Sequence, residues 1–186
     1  MKKPALAPLT ICAASAGAVV AVDRMTKAWV LAAVGIGGKP IAVIDGFFYI
    51  ACHRNSGMAW GLFQGGRVFF VALTAVLLVA MAVALAKFDA PLLRAALSLA
   101  MGGAVGNFID RVADGSVVDF LDFYIFGYNF PTFNAADSAL VVGAALIAFH
   151  FVFAAGKAAD EPGEKAADEP GGKAADEPAG REGGER

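Results

Sequence analysis

"VFFVALTAVLLVAMAVALA", residues 68–86, holds no charged residue and one polar side chain, Thr74. Its length is close to the ~20 residues with which an α-helix crosses the hydrocarbon core of a bilayer. Three further segments share its character. The first runs from residue 6 to 22 and continues amphipathically to about 34. The third covers 92 to about 109, and the fourth, "SALVVGAALIAFHFVFAA", covers 138–155. In lipid a backbone must satisfy its own polar groups, so all four are predicted to be helices. Gly102, Gly103, Ala104 and Gly106 in the third suit close helix–helix approach.

Composition agrees. Of the 186 residues 58% are hydrophobic, and the mean hydropathy is +0.63. Soluble domains use only ~45–50% apolar residues. Charged residues are densest in the last thirty positions, which leaves the body more apolar than the average implies. The net charge of −2 and the lack of a basic stripe exclude a nucleic-acid-binding role. Cys12 and Cys52 belong to no CxxC or Cys/His cluster and read as small apolar fillers. His53 and His150 bring no metal-ligand spacing, so no metal site is predicted.

Lys2 and Lys3 before an apolar run would also suit a signal peptide, and "LTIC" at 9–12 brushes a lipobox. Ile11 is too bulky for the position before such a cysteine, the apolar stretch ahead of it is short, and the run continues past any cut. A retained first helix is the expectation. Lys2, Lys3, Lys87, Arg94 and Lys157 flank the helices on one side, which positive-inside bias assigns to the cytoplasm. Lys39, Arg54 and Arg67 fall on the other side. The loop 112–136 has no Lys or Arg beyond its first helix end and should face outward, and both termini should be cytoplasmic.

The expected architecture is a mainly α membrane protein: a four-transmembrane-helix bundle over residues 1–156, with a small extracytoplasmic β-rich insert at about 36–66. Gly and Pro punctuate that insert, and β-prone aromatics and Ile/Val fill it. Phe47, Phe48, Tyr49 and Trp60 suit the headgroup belt. "KAADEPGE", "KAADEPGG" and "KAADEPAG" repeat an eight-residue unit. Residues 157–186 are too polar to bury a core and are predicted to be a disordered cytoplasmic tail.

An ionisable group against a membrane helix is by default a functional hypothesis. Asp23 and Lys27 stand i, i+4 with the acid first, the order that suits a self-neutralising pair. Asp110 and Arg111 are adjacent at the end of the third helix and must find partners elsewhere. Asp119, Asp122 and Asp137 lie in a run with no basic residue. Two carboxylates sharing a site cannot both ionise readily, so one keeps a proton. Such a dyad can activate water with one member and protonate a scissile carbonyl with the other. Helix caps or solvated loop acids explain the spacing equally well, and the residues alone do not choose which acids would pair.

Five blocks, in order, are familiar: "DRMTK" at 23–27, "RNSGMAWG" at 54–61, "GGAVGNFIDR" at 102–111, "GSVVDF" at 115–120 and "FNAADS" at 133–138. Together they resemble signal peptidase II, the bacterial lipoprotein signal peptidase family. The resemblance implies an aspartic endopeptidase of the inner membrane with Asp119 and Asp137 as catalytic residues. It implies that Asn55, Asn107, Arg111 and Asn134 line the site, with Asp23, Lys27 and Asp110 as structural polar residues. It implies prolipoprotein substrates whose cysteine carries a diacylglyceryl group, cleaved just before that cysteine, and no cofactor. A monomer among membrane lipids is expected. Trp60 stands where the family more often has Phe. A small proton-relay transporter, or a structural protein whose acids are loop caps, are the competing readings; four helices with few internal polar residues make a poor pathway.

Overall fold

The structure is a computed structural model and describes residues 6–57 and 66–159. Its elements in chain order are α1 (Leu6–Ala33), β1 (Ile41–Ile44), β2 (Phe48–Asn55), α2 (Arg67–Lys87), α3 (Pro91–Asp114), β3 (Val117–Ile125), β4 (Tyr128–Asn129) and α4 (Ala135–Ala159). Each helix is long and apolar enough to cross a membrane. Their outward faces are oily: Val68, Val76 and Val79 on α2, and Val141 and Val152 on α4, are exposed. No water-soluble protein leaves such a surface uncovered, whereas lipid matches it.

The four helices do not play equal parts. In α3, 61% of the apolar window is buried, against 11% in each of the others, so α3 is the central helix. Its small residues explain this. A Cβ on Gly102 would come within 2.6 Å of Val19 on α1, and one on Gly103 within 2.3 Å of the Ala136 carbonyl on α4. With hydrogen at those positions α3 touches both neighbours along its backbone, the close approach favoured in membranes. From the other side, Gly143 of α4 would place a Cβ 2.8 Å from the backbone of Ala96 and Ala100.

The strands form one antiparallel sheet in the order β1-β2-β3-β4. The expectation confined strands to the insert between the first two helices and left 112–136 as a loop. Half of the sheet in fact comes from that second outer segment. "VVDFLDFYI" is β-branched and aromatic, and Phe126 (φ 50°) with Gly127 (φ 80°) forms a tight two-residue turn into β4. The third helix also runs past the expected 109 to Asp114, so Asp110 and Arg111 lie within its last two turns. Gly115 ends it in the left-handed conformation (φ 72°), its N–H returning to the Arg111 carbonyl, and the chain turns directly into β3.

The sheet is seated on the end of α1 by Val30, Cys52, Val118 and Phe120. Cys12 and Cys52 are buried and free, as fillers should be. Toward the same end, Arg54 pairs with Asp114 (3.3 Å) and Arg67 donates to the Val112 carbonyl. Both cations are thus tied to the C-terminal end of α3, where the helix dipole favours them. Trp60 and the rest of 58–65 lie outside the described residues, as do 160–186; α4 itself runs three residues into the first repeat unit, to Ala159.

Candidate active site

Asp119 lies on β3, opposite His53 in the register with β2. Between Ile50 and His53 that register slips: three steps along β2 match two along β3, from Leu121 to Asp119. Such a bulge re-aims the side chains that follow it. Beyond it, Asn55 at the end of β2 reaches Asp119, its Nδ2 donating to Oδ2 at 2.9 Å. The other oxygen, Oδ1, accepts from Asn134 Nδ2 at 2.7 Å.

Asp137 lies in the first turn of α4. Asn134, just before the helix, accepts the Asp137 N–H on its side-chain oxygen (2.9 Å), and Asp137 Oδ2 accepts the Asn134 N–H in return (3.2 Å). This reciprocal arrangement is a capping box, which closes the helix start and fixes the Asp137 rotamer. Asp137 Oδ1 accepts from Asn107 Nδ2 at 2.7 Å. Asn134 therefore spans both acids, capping the helix that carries one and donating to the other.

The two carboxylates face a single cavity of about 270 Å³, also lined by Asn55, Arg111 and Phe133. Arg111 extends over the Phe70 ring, 5.1 Å from its centroid, and its Nη2 lies 3.5 Å from the Gly57 carbonyl. Burial, and then the neighbouring charge of Asp137, push the Asp119 carboxyl up to about 6; the amides of Asn55 and Asn134 and the charge of Lys27 hold it from rising further. Those opposing influences let the pair keep a shared proton to about pH 6, well above the range of a free carboxylate.

Behind the cleft, between α1 and α3, lies a second polar cluster. Lys27 is 2% exposed, and its ammonium meets Asp23 Oδ2 at 2.8 Å, Asp110 Oδ2 at 2.7 Å and Asn107 Oδ1 at 3.1 Å. Arg24 also pairs with Asp110. The i, i+4 pair expected from the sequence is present, but not as an isolated self-neutralising pair: Asp110 joins it from α3. Asp23 also accepts the Ala136 N–H at 3.1 Å, which ties the start of α4 to α1. Arg24, itself an ionisable candidate against the first helix, thus finds its partner on another helix.

The structure thus brings Asn55, Asn107, Arg111, Asp119, Asn134 and Asp137 to one place and sets Asp23, Lys27 and Asp110 directly behind it. Asp122 sits apart. It shares the sheet face of Tyr49 and Tyr124, lines a different pocket with Lys39, and accepts a long contact from Thr132 (3.4 Å). Among the described residues no group of His, Cys, Asp and Glu is arranged to hold a metal ion.

Such a protein is, by class, a multi-pass membrane protein with an acid pair held by amides where its helices meet an extramembrane sheet. The sequence model described as Signal peptidase (SPase) II matches residues 15–153. A lipoprotein signal peptidase from Bacillus pumilus is 46% identical over 69% of this chain and 83% of its own length. One from Staphylococcus carnosus is 42% identical over 85% of this chain and 99% of its own. A solved bacterial membrane enzyme, determined by the in meso method at 2.3 Å resolution, superposes with a TM-score of 0.72 and 38% identity, covering 90% of this chain and 99% of that one. The chain belongs to the signal peptidase II family.

Proposed function

We propose that Asp119 and Asp137 are the catalytic pair of an aspartic endopeptidase that removes signal peptides from prolipoproteins. The observation that carries the reading is the bridging of two carboxylates that line the same cleft by one residue, Asn134, whose side-chain amide donates to Asp119 and whose backbone N–H donates to Asp137. One carboxylate takes a proton from water as the water attacks the scissile carbonyl. The other, holding the shared proton, donates it to the carbonyl oxygen, and the two exchange roles as the amine leaves. Asn55, Asn107 and Asn134 keep both acids oriented without neutralising either. Arg111, stacked on Phe70 at the cleft wall, suits a backbone carbonyl of the bound peptide.

The substrate is a prolipoprotein whose cysteine carries a diacylglyceryl group, cut just before that cysteine. Acyl chains keep such a substrate in the leaflet, ~0.8 kcal/mol per buried CH₂, and bring the bond to a cleft at that depth. The enzyme works as a monomer in the bacterial inner membrane with its cleft at the extracytoplasmic face. Both termini are cytoplasmic, and the repeat tail is dispensable for cleavage.

Purified protein in detergent should cleave a diacylglyceryl-modified prolipoprotein and leave the unmodified precursor intact. Equal cleavage of both would remove the lipid from the reading. For the topology, a cysteine at Gly115 should react with an impermeant reagent added outside intact cells, and one at Ala167 should not. The reverse pattern would overturn the orientation.

A further inference from the structure

The polar cluster behind the cleft would ordinarily be read as structural, since it ties α1 to α3 and α4. Its connection to Asp137 goes further. Lys27 has three N–H donors and no acceptor. Besides its ion pairs with Asp23 and Asp110, it donates a hydrogen bond to Asn107 Oδ1. Asn134 Nδ2 donates to that same oxygen at 3.2 Å. With two donors aimed at it, this end of the Asn107 amide has to be the carbonyl; a flipped amide would set N–H groups against an ammonium. The NH₂ end is then forced toward Asp137 Oδ1, at 2.7 Å. Asn107 and Lys27 are both buried, so no solvent competes for these contacts.

We propose that Lys27 is a positioning residue for the reaction: its ammonium locks the Asn107 amide in the one orientation that donates to Asp137, and its charge lowers the pH range in which the acid pair is singly ionised. The inference rests on the assignment of Asp119 and Asp137 above. Lys27 lies one amide away from Asp137, through Asn107, and two amides away from Asp119, through Asn107 and Asn134. In a poorly solvated site a charge at that separation is still felt, and it opposes the upward push on Asp119. The other charged or titratable groups around the pair are Asp23 and Arg24 from α1, Asp110 and Arg111 from α3, and His53 and Arg54 from β2. Asp122 on β3 faces away. Asp23 and Asp110 are engaged by Lys27 itself, and Arg24 by Asp110.

Removing Lys27 alone would strand two buried carboxylates, so the test removes one charge of each sign. Lys27→Met/Asp110→Asn leaves Asp23 and Arg24 and keeps the cluster neutral overall. Lys27→Gln/Asp110→Asn is the second form, to be used where the first is not folded by gel filtration and thermal unfolding. Lys27→Arg keeps the charge. All are assayed against pH on one diacylglyceryl-modified prolipoprotein, with Asp119→Asn beside them. Without the ammonium the pair should lose its proton less readily. Both limbs of the pH–rate curve should then move up by roughly 0.5 to 1 unit, with kcat falling and KM nearly unchanged. Lys27→Arg should keep the wild-type limbs, whatever its rate. Limbs that stay in place in the neutralised variant, or that move equally in Lys27→Arg, would overturn the proposal. Turnover surviving in Asp119→Asn would instead count against the assignment of the pair on which it rests.

Discussion

Two groups of carboxylates lie side by side in this protein, and their surroundings are opposite. Asp23 and Asp110, between α1 and α3, face cations: Lys27 lies between them and Arg24 joins Asp110. Asp119 and Asp137, at the sheet and the start of α4, meet amides; among the described residues neither forms an ion pair. An ion pair fixes the charge of a buried acid, because losing the proton partner's charge would leave the other uncompensated. An amide fixes only its direction and leaves the proton free to move. The first cluster therefore holds helices together, and the second is free to do chemistry.

The largest effect that could break this contrast is expected in the cleft. Asp119→Asn or Asp137→Asn should each abolish cleavage of a lipidated prolipoprotein while the protein still inserts and still elutes as a folded species. Substantial turnover by either would erase the distinction between the clusters.

The next largest should appear in the other cluster, and in stability instead of turnover. Lys27→Met alone leaves Asp23 and Asp110 without their ammonium, a change that typically costs about 3–5 kcal/mol. Thermal unfolding in detergent should show a large drop, and an unchanged midpoint would mean that the ion pairs contribute nothing. Gly106→Ala sharpens the same point on a smaller scale. Its Cβ would come within 2.7 Å of Asp23 Oδ2 and 3.2 Å of the Ala136 side chain, so the cluster must shift, at about 1–3 kcal/mol.

Asp119 should also leave a mark on stability. Its folded pKa, about 6, stands above the ordinary 3.8, so the native state holds a proton that the unfolded chain releases between those values. Stability from this group is present below pH 4 and is lost as pH rises through about 6. Between pH 5 and pH 8 the unfolding midpoint of the wild type should fall more than that of Asp119→Asn. Equal falls would mean that Asp119 ionises as freely as a solvated acid.

The smallest effect is expected at Asp122, buried on the other sheet face with one long contact to Thr132. Asp122→Asn should retain most of the cleavage activity. A loss comparable to that of Asp119→Asn would show that the sheet does not separate the two acids functionally.

What the sequence made legible follows the range of the interactions. The helices are written in continuous apolar runs, and the Asp23–Lys27 contact is local, one turn along α1. The third partner, Asp110, is 83 residues from Lys27 in sequence (110 − 27) and could be placed only once α3 packed on α1 through its glycines. The contact between Asn55 and Asp119 was still less accessible, because it depends on a strand pairing across 64 residues and on a bulge within it. The hairpin of β3 and β4 did carry a local signal. "VVDFLDFYI" is rich in β-branched and aromatic residues, which marks a strand, whereas the turn residues Phe126 and Gly127 that follow carry only the glycine of a hairpin signal. Its two acids, Asp119 and Asp122, drew attention to chemistry and away from conformation. The family resemblance supplied the pairing of Asp119 with Asp137; the residue that joins them, Asn134, by its side-chain amide to one and its backbone N–H to the other, explains it only in three dimensions.

The central claim, that two amide-held acids act as one unit, is tested most directly by comparing turnover of purified Asp119→Asn, Asp137→Asn and the double variant on one diacylglyceryl-modified prolipoprotein. Groups that share a proton fail together, so the double variant should be little worse than either single one. Single variants that each lose only part of the activity, with losses that multiply in the double, would contradict it.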